Sequence, residues 1–134
     1  MKRNNVKIKE RALEWFRIGD EELKFAKASF RDFEAYYPQV CFLCQQSVEK
    51  YLKGYLVYAK GKFPKVHDLT HLLKLCAKEN KKFLDFISET EILSQYYIIA
   101  RYPLPEYPPA GKSEAKEALA IADSIIKFTK QQIK

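Results

Sequence analysis

Glycine is scarce in this chain of 134 residues, with four copies at Gly19, Gly54, Gly61 and Gly111. So widely scattered, they build no phosphate-cradling loop, which excludes the nucleotide-binding folds that depend on one. Proline is nearly as rare, and four of its six copies fall in one stretch, Arg101–Gly111. The rest of the chain is therefore free to form long helices. Cysteine occurs three times, an odd number that argues against a secreted disulfide scaffold. No apolar run approaches the roughly 18 residues of a membrane span. The basic start, Met1 to Asn5, is followed by no apolar stretch, so no secretory leader is expected. A cytoplasmic location, away from membranes, is the expectation.

What is present describes a folded helical domain. Hydrophobic residues make up 47% and charged residues 31%, which fits a globular protein rather than a disordered one. The length fits a single domain over residues 1–134. The net charge of +7 favours an anionic partner without choosing among nucleotide, nucleic acid and acidic protein. Most of the lysines read as solvated helix faces.

Apolar residues recur at steps of three and four, so helices are expected over most of the chain. The first runs from Lys7 to Phe30, with Ala12, Trp15, Phe16, Leu23 and Ala26 on its buried stripe. The second runs from Pro38 to Lys60, with Cys41, Cys44, Val48, Tyr51 and Leu52 inward and Gln45, Gln46, Glu49, Lys50 and Lys53 on the other sides. Gly54 implies a close neighbouring backbone, and Gly61 a left-handed helix end. Asp68 caps a third helix ending near Asn80, and Phe83, Phe86 and Ile87 make a further short turn or helix. Ser88 and Glu91 have the spacing of a capping box for a fourth helix reaching Ala100, and Ser113 caps a fifth reaching Ile133. No segment alternates with period two. The expected fold is all-α: an antiparallel up-and-down four-helix bundle with an additional short helix.

Few constellations point to chemistry. Cys41 and Cys44 form a C-x-x-C pair, and His67 and His71 an H-x-x-x-H pair. Their separation is too long for a zinc finger, and both thiols sit on or beside an apolar stripe, so buried thiols are expected and no metal site. The HDLTH stretch lacks the glutamate of a zinc-protease motif. No serine sits in a nucleophile elbow, and no cofactor is expected. The remaining cluster is Tyr96, Tyr97, Arg101, Tyr102 and Tyr107 in the proline-stiffened stretch. Arginine offers a fork for phosphate, and tyrosine offers a stacking face. The competing interpretation is a buried arginine tied to a carboxylate or a helix C-terminus, packed under aromatics.

In this order, the motifs resemble the HEPN family, helical domains named for nucleotide binding in higher eukaryotes and prokaryotes. The family pattern matches Gln45, Gln46, Glu49, Lys50, Leu52 and Lys53, then His67, Asp68 and Leu69 after Pro64, then Tyr96 and the Ala100–Pro103 run. Trp15 with Asp20, Glu21, Glu22 and Leu23 fits the family's first helix. The resemblance covers nearly the whole chain. It implies a homodimer, a nucleotide or RNA ligand, and a minimal nucleotidyltransferase as partner in a toxin–antitoxin-type pair. Ribonuclease members of the family carry a histidine a few residues beyond the arginine. Here those positions hold Glu106, Tyr107 and Pro108, and no histidine follows His71. Binding without catalysis is therefore the leading expectation, with Arg101, Tyr97, Tyr102, Tyr107, Lys50, Lys53 and His67 as ligand-binding candidates and no catalytic residue assigned. Alternatives are an endoribonuclease using His67, Glu106 or a tyrosine with Arg101, and a purely structural interaction subunit.

Overall fold

A computed structural model describes residues 2–133. Met1 and Lys134, the ends of the domain expected over 1–134, lie outside the described residues, as do the side chains of residues 2–5 at the basic start. Among the described residues every regular element is helical. The helices are α1 (Lys2–Asp32), α2 (Tyr37–Lys60), α3 (Leu69–Glu79), α4 (Ile87–Ser94), the single turn α5 (Tyr96–Ile99) and α6 (Lys112–Gln131), with a 3-10 turn at Lys81–Phe86 between α3 and α4. Among the described residues no helix is long and apolar enough to cross a membrane.

Helix α2 is the centre of the bundle and packs against all five others. Its stripe of Val40, Cys41, Cys44, Val48, Tyr51, Leu52 and Leu56 is buried against α1, α3 and α6, which contribute Phe16, Leu23, Leu72, Leu73, Ala118, Ala122 and Ile125. The α1–α2 contact is the most extensive, and two glycines set its spacing. At Gly19 a Cβ would lie 2.8 Å from the Tyr51 ring and 3.1 Å from the Ser47 carbonyl. Ser47 Oγ donates to the Gly19 carbonyl at 2.6 Å, tying the helices where they come closest. At Gly54 a Cβ would lie 2.7 Å from the Phe16 ring and 3.0 Å from Trp15 Cβ. The close neighbour expected at Gly54 is therefore a pair of side chains; the tight backbone approach is at Gly19. Phe16 then stacks on Tyr51 at 4.3 Å, and the Tyr51 hydroxyl donates to Asp20 at 2.5 Å.

Helix ends follow the expected chemistry in two places and depart from it in two. Gly61 adopts a left-handed conformation, φ 76°, and its N–H bonds the Val57 carbonyl. Asp68 caps α3, accepting from the N–H groups of Thr70 and His71. Ser113 does not cap α6: the helix starts after Gly111, whose N–H donates to Glu114 Oε1 at 2.7 Å. Ser88 does not cap the fourth helix either. The 3-10 turn runs straight into α4, so the helix begins at Ile87, one residue earlier, with no side-chain cap. The expected continuous helix to Ala100 is broken at Gln95, whose side-chain amide bonds the Ile92 carbonyl at 2.9 Å. That break separates α4 from α5 and the stretch after it.

Candidate functional site

The site begins on a face of α2 that reads as polar in the sequence. Gln45, Glu49 and Lys53 are spaced one turn apart, and all three are buried. A buried charge is tolerated only when paired and hydrogen-bonded, and here it is. Glu49 Oε2 accepts from Lys53 Nζ at 2.9 Å and bonds His67 Nδ1 at 3.0 Å, while Oε1 accepts from Gln45 Nε2 at 3.3 Å. Lys53 also lies 5.5 Å from the Phe63 ring centre. The chain of contacts continues toward α1. Gln45 Oε1 accepts from Gln46 at 2.7 Å, Gln46 Oε1 accepts from Lys50 at 3.4 Å, and Lys50 Nζ sits 3.3 Å from Glu22 Oε1. Burial holds the Glu22 carboxyl above its usual range, against the pull of Lys50.

This network fixes His67 in the connection before α3. Gln45 Nε2 bonds the His67 carbonyl at 3.2 Å, so one amide anchors the backbone while Glu49 anchors the ring. The ring stacks on Tyr97 of α5, with centroids 4.7 Å apart and planes 14° from parallel. The Arg101 guanidinium lies over the same Tyr97 ring at 4.3 Å and 5.9 Å from the Phe42 ring centre. Arg101 is exposed and makes no ion pair among the described residues, which rules out an arginine buried against an acid. Beside it opens a groove of about 510 Å³ walled by Pro38, Ile99, Arg101, Tyr102, Leu104 and Tyr107. The stretch is folded by its own backbone: Arg101 and Tyr102 N–H bond the Ile98 carbonyl, and Tyr107 N–H bonds that of Leu104.

The structure thus joins Arg101 to Tyr97 and, through that ring, to His67, while Arg101, Tyr102 and Tyr107 share the groove. Lys53 and Lys50 belong to the supporting network instead. Lys53 is buried on Glu49 and Lys50 is turned to Glu22, so neither presents a free charge to the groove. The placement of Gln45, Glu49 and Lys53 on an outer face is corrected by their burial. Phe42 is a partner that the residue pattern does not single out, and Glu22 enters it only through the first-helix match. The turn-by-turn spacing of Gln45, Glu49 and Lys53 is the one local sign of the network; nothing marks Phe42. The thiols of Cys41, Cys44 and Cys76 are buried and free in the core, and burial pushes Cys41 up to about 12. His71 is exposed and joins neither cysteine. Among the described residues, no group of three or more His, Cys, Asp or Glu side chains is placed to hold a metal ion.

The HEPN domain family model matches residues 12–132. The chain belongs to the HEPN family. The fold is also similar to the crystal structure of TT1696 from Thermus thermophilus, with a TM-score of 0.80 and 30% identity over 92% of this chain and 98% of that one. It is similar as well to the crystal structure of ST0689, an archaeal HEPN homologue, with a TM-score of 0.74 and 29% identity over the same shares. No curated protein matches. Placed on this HEPN domain, the Gln-Gln, Glu-Lys and His-Asp-Leu motifs become one connected hydrogen-bond network ending beneath Tyr97 and Arg101.

Proposed function

We propose that this HEPN domain binds a nucleotide or a single-stranded RNA in the Arg101 groove and acts as the partner of a minimal nucleotidyltransferase in a toxin–antitoxin-type pair. The observation that carries the ligand reading is the state of Arg101. Its guanidinium lies over the Tyr97 ring, has no carboxylate partner among the described residues, and shares the groove with exposed Tyr102 and Tyr107. A guanidinium so placed keeps its hydrogen-bond donors for a phosphate, and the two exposed rings offer faces to bases.

Binding is preferred over catalysis because Arg101's own stretch carries Glu106 and Tyr107 where the ribonuclease members have histidine. Self-association is supported by a second feature. Phe25, Phe33 and Tyr36 are exposed around an apolar groove of about 360 Å³ near the α1–α2 turn. The ligand reading is tested by titrating ATP and a short RNA into wild type and Arg101→Ala. Loss of affinity in the variant is expected; equal affinity, or no binding by either protein, sinks it. The partner reading is tested by co-purification with the product of a neighbouring nucleotidyltransferase reading frame.

A further inference from the structure

We infer that the cleft between the C-terminal ends of α2 and α3 is a docking site for a partner protein, and that it takes an acidic segment carrying one apolar side chain.

The backbone creates the cleft. Gly61, in its left-handed conformation, ends α2 and turns the chain back along it. The returning stretch passes Lys53, which lies over the Phe63 ring at 5.5 Å, and reaches Glu49 at His67. Helix α3 then runs in the same direction as α2, so the two C-terminal ends meet: Lys60 Nζ is 3.8 Å from Glu79 Oε2. Between them lies a cleft of about 260 Å³ with an apolar floor of Leu56, Phe63, Pro64 and Leu75. Trp15 packs edge-on to Phe63 at 4.7 Å and holds that wall in place.

The rim is cationic. Lys60, Lys62 and Lys78 border the floor, and all three are exposed. Lys62 and Lys78 have no ion-pair partner among the described residues, and Lys60 has only the long contact to Glu79. The stretch from Lys60 to Lys82 carries seven lysines against two acids, in a chain whose net charge is +7. Most of the surplus charge is therefore concentrated at this end of the sequence's middle third. Lysines beside helix C-termini offset the helix dipole, which accounts for Lys60 and Lys78. It does not account for Lys62, which lies past Gly61 outside both helices, or for an apolar floor left open among three cations.

Size and chemistry select the occupant. The volume falls below the roughly 300–1,000 Å³ of a small-molecule site, and suits one inserted side chain. Base stacking needs a free aromatic face, and the one aromatic ring of the floor, Phe63, already has Lys53 over it. An aliphatic anchor against Leu56, Pro64 and Leu75, flanked by carboxylates on the lysines, satisfies both floor and rim. The cleft shares no residue with the Arg101 groove. Pro38 lines that groove and Lys60 this cleft, about 33 Å apart along α2 at 1.5 Å per residue, so both sites can be filled together.

The experiment measures fluorescence anisotropy of a labelled peptide in which runs of Asp and Glu flank a single Leu, and of a second peptide with Ser in place of that Leu. The wild-type protein should bind the Leu peptide at least about tenfold tighter, the share of one buried apolar side chain. Combining Lys62→Glu with Lys78→Glu should weaken both peptides about tenfold, and added salt should weaken both as well. Leu75→Trp fills the cleft from its α3 wall and should abolish the preference for Leu, with circular dichroism confirming that the variants are folded. Arg101→Ala should leave both peptides unaffected, so this inference and the Arg101 reading fail separately. Equal binding of the two peptides by wild type, or binding of neither, overturns the inference, as does a preference for Leu that survives Leu75→Trp. A protein that ignores both peptides but loses affinity for an oligoadenylate on Lys62→Glu with Lys78→Glu has a nucleic-acid surface here instead, which also overturns it.

Discussion

Replacing Glu49 with alanine tests whether the α2 network is a structural element or an incidental cluster. Among the described residues the carboxylate is the one anion on Lys53, whose side chain is 6% exposed and whose ammonium is 2.9 Å from Glu49 Oε2. Removing it strands a buried cation and leaves Gln45 Nε2 and His67 Nδ1 each short of a partner. Breaking a buried pair in this way costs about 3–5 kcal/mol, against a total stability of about 5–15 kcal/mol for a domain of this kind. The Phe63 ring near the ammonium offsets only about 1–2 kcal/mol of that. Urea unfolding followed by circular dichroism at neutral pH reads the loss, with the midpoint falling and the slope unchanged. The same measurement on Glu49→Leu with Lys53→Met should recover most of it, because an apolar pair of similar volume carries no stranded charge. A loss under about 1 kcal/mol for Glu49→Ala refutes the reasoning. It means that Lys53 reaches water by a small rearrangement and the burial is not enforced.

Three further outcomes follow from the packing. Gly54→Ala drives a methyl to 2.7 Å from the Phe16 ring, which is itself stacked on Tyr51; overpacking of this kind costs about 1–3 kcal/mol, and thermal melting at or above the wild-type midpoint contradicts it. Glu22, held above the ordinary carboxylate range by burial, binds its proton more tightly in the folded than in the unfolded state. It therefore contributes stability that is present in acid and lost as pH rises through its folded value. Glu22→Gln should flatten the stability–pH curve in that window, and an unchanged slope assigns the effect elsewhere. Cys41, pushed up to about 12 by burial, and the still more strongly raised Cys44 and Cys76 should not react with a thiol reagent at pH 8 until urea unfolds the protein. Rapid labelling of the native protein contradicts the closed core.

The bundle is legible in the sequence because its main signals are local. The stripe through Ala12, Phe16, Leu23 and Ala26 marks α1, and Gly61 and Asp68 mark helix ends by backbone chemistry alone. The break at Gln95 escapes the same logic, since a single helical residue with a back-bonded side chain interrupts no apolar pattern. The start of α6 escapes it too, because the cap is supplied by Glu114 reaching back to Gly111. Arg101 stands out among prolines and tyrosines. The inward turn of Glu49 and Lys53 does not, because hydrophobic periodicity counts every charge as outside. One of the partners that Glu49 meets there, His67, lies 18 residues away. Phe42 beneath Arg101 is legible only in three dimensions.

The break at Gln95 leaves α5 as a single turn held by one well-buried side chain, Tyr96, with Ala110 securing the far end of the stretch that follows. With so few buried side chains, this corner is expected to open at a lower free energy than the bundle. Opening lifts Tyr97 and Arg101 away from His67 and Phe42 while the α2 network stays folded. A ligand that recognises only the closed corner holds it shut by mass action, worth about 2.7 kcal/mol at a hundredfold excess over its dissociation constant. Amide hydrogen exchange would then slow between residues 96 and 110 and nowhere else, so the corner would report occupancy through its own breathing while the rest of the domain stays silent.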